Sequence, residues 1–162
     1  MTQDVGSGGG DGEKGMQATR RFNDRVLAGI RDGKILGIRA GTQPHRFIGI
    51  WAVVVQDRVF VRSWSLKPRS WYRTFREEPQ GAINVAGREI PVRAFFTRSE
   101  RLKDAVDRAY LEKYKTPGSI GYARDLGRAK SRATTTELVP RQSDRRAQGG
   151  ETSRRSSQGG ST

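Results

Sequence analysis

From Ile48 to Phe96 the chain reads IGIWAVVVQDRVFVRSWSLKPRSWYRTFREEPQGAINVAGREIPVRAFF. Short segments rich in Val, Ile and Phe are separated by turn residues, with a single helical insert over 70–78. Such segments are strands by length and composition. The strands are expected to be joined by hairpins and not by regular helical crossovers, which favours antiparallel pairing. A mainly β, α+β architecture, a small antiparallel split β-barrel with two or three peripheral helices, fits this better than a doubly wound sheet.

Within the run, Ile48–Val55 is apolar apart from Gly49 and is expected to be one central strand buried on both faces. Gln56-Asp57 supplies a tight reversal. The returning strand, Val59 to Trp64, alternates its faces. Val59, Val61 and Ser63 point one way, and Phe60, Arg62 and Trp64 the other. Ala82–Val85 and Glu89–Phe96 form a hairpin about Ala86-Gly87. Pro91 cannot donate to a ladder, so one side of its strand should be an edge or a bulge.

The flanking segments carry helix signals. Phe22, Val26, Leu27 and Ile30 recur at near-helical spacing, and Asp32-Gly33 ends that helix before a half-buried strand at Leu36, Ile38 and Ala40. The clearest helix holds Leu102, Ala105, Val106, Ala109, Tyr110 and Tyr114. Thr97 and Glu100 offer it a capping box, and Pro117-Gly118 a stop. A second short helix is predicted over 122–132. The β-prone segment 134–139 closes the sheet.

Composition divides the 162 residues into three parts. Residues 1–19 and 141–162 lack the apolar content that offsets chain entropy and are expected to be disordered tails. Residues 20–140 are of ordinary domain size. Met16 is a candidate native start, since the Gly-rich stretch before it would be encoded by purine-rich codons like those of a ribosome-binding site. The net charge is +14. Residues 20–140 hold 25 Lys and Arg against 12 Asp and Glu, so the excess resides in the domain. A basic domain suits anionic partners: phosphorylated cofactors, nucleic acid or an acidic protein. The dominance of Arg over Lys, 24 to 7, reads equally as a reflection of genomic base composition. The absence of Cys excludes thiol chemistry and Cys-ligated metals. No apolar run is long enough for a signal peptide or membrane span, so a cytoplasmic protein is expected. The single histidine, His45, stands beside Pro44 at a loop and reads as an exposed loop residue, not a catalytic base. No metal site is expected.

The densest candidate site is Arg62 and Ser63 at a strand end, followed by Lys67, Arg69 and Arg73, with Trp71 and Tyr72 opening the insert helix. Guanidinium forks and a hydroxyl hold a phosphate by charge-assisted bonds. Trp64, Trp71 and Tyr72 would cover a flat ring. The alternative is a solvated basic loop whose aromatics plug the barrel end.

Several pieces resemble a bacterial domain-of-unknown-function family, number 2255. They are Ile50-Trp51-x-Val53, Val61-Arg62-Ser63, Trp71-Tyr72-Arg73, Ala109-Tyr110-x-x-Lys113-Tyr114, and Ala133-Thr134 with Leu138-Val139-Pro140. The resemblance spans about Phe22 to Pro140. More distantly, the order of strand, Ser63, loop, Trp71-Tyr72, short helix and Pro79 is similar to the deazaflavin-dependent nitroreductase family. Those proteins belong to the split β-barrel group that includes pyridoxamine-phosphate oxidase-like flavoproteins. That likeness implies a split β-barrel oxidoreductase passing hydride to a small-molecule substrate. The cofactor it implies is FMN or an 8-hydroxy-5-deazaflavin coenzyme. Its cofactor-binding residues would be Arg62, Ser63, Lys67, Arg69, Trp71, Tyr72 and Arg73. By the same analogy the protein would be a homodimer. The chain departs from that pattern between Trp64 and Arg69, which contains no glycine. Two further readings remain beside it: a non-enzymatic basic binding module, and a degenerate barrel without cofactor.

Overall fold

A computed structural model describes residues 21–141. The expected tails and Met16 lie outside these residues, Arg141 excepted. The first element, α1 (Asp24–Asp32), begins where the Asn23 side chain accepts the Val26 N–H at 2.9 Å. It buries Val26, Leu27 and Ile30, the stripe the spacing predicts. Strand β1 (Leu36–Ala40) alternates buried and half-buried residues in step with its pleat.

The apolar run 48–55 differs from expectation. It is two strands, β2 (Ile48–Ile50) and β3 (Ala52–Val55), broken at Trp51. They pair with different neighbours: β2 with β1, and β3 with β4 (Arg58–Val61). The remaining strands are β5 (Gln80–Val85), β6 (Arg88–Phe96) and β7 (Thr136–Pro140). The sheet order is β2-β1-β5-β6-β7-β4-β3, so both sheet edges belong to one continuous run. The seven-stranded antiparallel sheet therefore curls into a nearly closed barrel, with its seam at Trp51. A run that turns this corner cannot be central. The strand covered on both faces is β4, whose Val59, Phe60 and Val61 are fully buried.

Turn chemistry fixes the hairpins. Gln56 and Asp57 have φ of 55° and 61°, and Ala86 and Gly87 of 52° and 82°. Both pairs are left-handed, as two-residue hairpin turns require. Pro91 faces Ala82 in the β5–β6 register. Strand β6 has nine residues and β7 only five, so part of β6 has no β7 residue opposite it.

Five helices are described. The insert is α2 (Trp71–Glu77), followed by α3 (Glu100–Lys113), α4 (Ile120–Asp125) and α5 (Ala129–Arg132). Ser99 caps α3, accepting the Leu102 N–H at 3.1 Å, and Thr97 in turn accepts the Ser99 N–H. The expected Thr97–Glu100 box is displaced by two residues because Thr97 is still tied to the sheet through its N–H to Thr135 O. The expected single helix over 122–132 is two, broken at 126–128.

The core has two parts. Val59, Val61, Ala52, Ile38, Ile83, Val92 and Phe75 fill one, inside the barrel and under α1 and α2. Val53 and Phe60 face the other way and pack with Val106, Tyr110, Tyr114, Ala123 and Leu126 of α3 and α4. Each fully buried Val or Phe contributes about 1.5–3 kcal/mol. Period-2 alternation along β3 and β4 thus feeds two hydrophobic layers at once. No helix among the described residues is long and apolar enough to cross a membrane.

Candidate functional site

The alternation that sends Phe60 under α3 sends Arg62 there too. Arg62 is 2 % exposed. Its Nε donates to Thr135 Oγ1 at 2.8 Å and its Nη2 to Lys103 O at 2.9 Å. Its Nη1 donates to Asp107 Oδ1 at 2.5 Å and Leu126 O at 2.8 Å. Burial pulls the guanidinium pKa down, and Asp107 opposes that shift. Arg62 thus joins β4, α3, α4 and the approach to β7, and turns away from the loop it precedes.

Ser63 is also buried and inward. Its Oγ donates to Ser65 O at 2.7 Å and accepts the Ser65 N–H at 3.1 Å. Its own N–H goes to Thr134 Oγ1. The next serine repeats the device, Ser65 Oγ accepting the Lys67 N–H at 3.1 Å. This loop contains no glycine and shapes its backbone with serine hydroxyls instead.

Ser70 then caps α2, accepting the Arg73 N–H at 3.3 Å. Helical spacing sorts the side chains that follow. Trp71 and Phe75, four apart, go into the core. Tyr72, Arg73, Arg76 and Glu77 are left on the other side. There they line an open cleft of about 390 Å³ with Leu66 from the loop and Lys130, Ala133 and Thr134 from the α5 end. Arg73 Nη1 donates to Leu66 O at 3.3 Å. The Arg76 guanidinium lies 5.2 Å from the Phe96 ring centroid, and Tyr72 meets the same ring edge-on at 5.7 Å. Neither Arg73, Arg76 nor Lys130 forms an ion pair among the described residues.

Of the residues singled out from the sequence, the structure brings Tyr72 and Arg73 together in this cleft. Arg62 and Ser63 are buried and do not line it. Lys67 and Arg69 are exposed on the loop but do not line it. Trp71 is buried against Phe75, at 6.0 Å and 77°. Trp64 joins a separate aromatic group with Trp51 and Tyr122, at centroid distances of 5.5 and 6.3 Å. Sequence reasoning missed Arg76, Glu77 and Lys130. Spacing of three and four from Arg73 was a signal for the first two. Lys130 arrives from a distant segment, and nothing local announces it.

The Tyr110-x-x-Lys113-Tyr114 piece works on backbone groups. Tyr110 Oη donates to Trp51 O at 2.8 Å and accepts the Arg62 N–H at 3.1 Å. Lys113 Nζ donates to Ile30 O and Ala52 O at 2.8 and 2.7 Å. Tyr114 Oη donates to Lys34 O at 2.7 Å. Together they satisfy the carbonyls of Trp51 and Ala52 at the barrel seam and of Ile30 and Lys34 at the end of α1. Burial pushes the phenols of Tyr110 and Tyr114 up, the latter to about 12, and the Lys113 amine down to about 8.

A search of curated proteins finds no significant match. Among solved structures, the crystal structure of conserved hypothetical protein Rv2991 from Mycobacterium tuberculosis is similar at 12% identity and a TM-score of 0.46. The match covers 75% of this chain and 81% of that one. The family model described as "Uncharacterized protein conserved in bacteria (DUF2255)" matches residues 26–138, which take in most of α1, the other four helices, every strand from β1 to β6 and most of β7, and the chain belongs to that family.

Proposed function

We propose that the protein binds a phosphorylated small molecule in the cleft between α2 and α5. The observation that carries this is the convergence of Arg73, Arg76 and Lys130, none in an ion pair among the described residues, on a cavity bordered by Tyr72. Surface cations are usually spread and paired. Three directed at one concavity favour an anion, and two of them offer the guanidinium fork that matches phosphate oxygens.

The ligand class is the one the flavoprotein resemblance implies, FMN or a deazaflavin coenzyme. The residues fit its phosphate end through the three cations. They fit its ring end through Tyr72 and the apolar edge of Leu66, since Trp71 is withdrawn into the core. Bound, such a cofactor would supply hydride transfer to a small-molecule substrate. The chain's own part is to hold the phosphate on Arg73, Arg76 and Lys130 and to position the ring against Tyr72. Lys67 and Arg69, exposed on the adjoining loop, add attraction at longer range. Arg62 and Ser63 support the cleft from outside its lining: Ser63 fixes Thr134, which lines it. A homodimer and a cytoplasmic setting belong to the same reading.

The test is titration of the full chain with FMN and with a deazaflavin coenzyme, followed by fluorescence quenching. Binding at tens of micromolar or tighter, weakened by Lys130→Ala, is expected. No quenching by either cofactor overturns the flavin assignment. The charge of +14 favours nucleic acid as the second reading. Affinity for nucleic acid would then fall steeply with salt, as counterions are released.

A further inference from the structure

The cleft contains one residue that an anion site does not need. Glu77 lines it together with Arg73, Arg76 and Lys130. It follows Arg76 directly and stands four residues beyond Arg73 on α2, a spacing at which helix side chains are neighbours. Yet Glu77 forms no ion pair and no side-chain hydrogen bond among the described residues. Nor does its position serve the helix. It is the last residue of α2, at the negative end of the helix dipole, where a carboxylate is unfavourable. A carboxylate set against its helix, unpaired and beside three cations, weakens attraction for a bare phosphate.

We infer that Glu77 makes the cleft selective for phosphate esters that carry a hydroxyl close to the phosphate, such as sugar or polyol phosphates. This rests on the reading of the cleft as a phosphate site. The cations take the phosphate, and Glu77 accepts the hydroxyl hydrogen in a charge-assisted bond that a plain alkyl phosphate cannot offer. Such a site discriminates strongly because the wrong ligand leaves the carboxylate facing an anion with nothing between them. The ribityl phosphate of a flavin nucleotide falls within this class, and so do simpler polyol phosphates. A DNA backbone, whose phosphodiesters lack free vicinal hydroxyls, falls outside it.

Glycerol phosphate and propyl phosphate separate the possibilities, since they share chain length and differ in hydroxyls. Calorimetric titration of the full chain should show a preference of about tenfold for glycerol phosphate. In Glu77→Ala, propyl phosphate should bind more tightly than in the native chain and the preference should vanish. Glu77→Gln keeps an acceptor and loses the charge, so it should tighten both ligands and keep part of the preference. Equal binding of the two ligands by native chain and Glu77→Ala alike overturns the role of Glu77 and leaves the phosphate reading standing. Binding of neither ligand to the native chain overturns both. Thermal unfolding of the variants should be unchanged or slightly raised, because the substitution removes an unfavourable charge at a helix end.

Discussion

Asp107 Oδ1 lies 2.5 Å from Arg62 Nη1, at the point where the barrel wall meets α3. The second oxygen of the same carboxylate takes Arg132 Nη1 at 2.6 Å, and Arg132 also reaches Glu100 and Asp104. One half-buried carboxylate therefore joins an interior guanidinium to an outer one. The outer bonds are exposed and of small worth. The inner one is different in kind. Asp107 neutralises a charge that has almost no access to water.

Asp107→Ala should accordingly destabilise the chain by about 3–5 kcal/mol, since it leaves a buried charge uncompensated. Asp104→Ala, which removes one exposed bond to Arg132, should cost far less. Urea unfolding of the two variants checks this. Similar losses in both would mean that the ion pair to Arg62 carries no special weight.

The Lys113 amine gives the fold a pH dependence that can be assigned. Burial lowers it from 10.5 to about 8, with Asp32 opposing. Between those values the folded chain holds fewer protons than the unfolded one, so stability rises with pH across that window. The neutral amine keeps two N–H groups for Ile30 O and Ala52 O. Tyr114 acts in the opposite sense, because burial raises its phenol to about 12. The unfolded phenol ionises near 10 while the folded one keeps its proton, so this contribution is lost as pH climbs from about 10 to 12. The two contributions together are largest at about pH 10. Lys113→Met should flatten the rise from 8 to 10 and leave the alkaline fall in place. A rise of undiminished size in that variant would detach the effect from Lys113.

Local rules made most of this legible, and longer-range packing accounts for the rest. Alternation placed Arg62 on the face of Phe60 and Val59 on the face of Val61, and the two core layers follow that division. What alternation could not say was that α3 covers the Phe60 face and presents Asp107 to it. That fact turns Arg62 from a candidate phosphate ligand into an interior strut. The run 48–55 misled for a related reason. Uniform apolarity reads as double-sided burial, but here it reflects a strand that changes partners at Trp51, so each half is needed at a different sheet edge. In the cleft, Tyr72 and Arg73 were legible because the short helix carries them together. Lys130 was not, because α5 reaches the cleft only through the fold.

Ser70 links stability to binding. Its hydroxyl caps α2, the helix that carries Tyr72, Arg73, Arg76 and Glu77. Losing a serine cap costs about 1 kcal/mol. In a seven-residue helix that loss falls on the first turn, so Ser70→Ala should loosen Arg73 and weaken phosphate binding along with the fold. Ser70→Asp restores an acceptor and should recover stability. It should recover less of the binding, because it sets a negative charge on the approach to an anion site. Binding unaffected by either substitution would place the ligand away from α2.

Gly81 leaves no room for a side chain between β5, β1 and the core. It pairs with Ala40, and a Cβ built on it would run into the Arg39 carbonyl and lie 2.9 Å from the Phe75 ring. The Phe75 ring is fully buried and cannot swing clear. Even one methyl group must therefore push the two strands apart or displace the core beneath them. Overpacking of this kind costs about 1–3 kcal/mol. Gly81→Ala is expected at the upper end of that range, because backbone as well as side chain must yield. At Gly87 a built Cβ meets nothing, but its φ of 82° makes the strain there conformational. The two glycines should respond differently to a second substitution. Gly87→Asn should be nearly neutral, since Asn tolerates the left-handed region. Gly81→Asn should be worse than Gly81→Ala. Thermal unfolding of the three variants checks the ordering, and a Gly81→Ala variant as stable as the native chain would mean that β1 and β5 are not as close as this register requires.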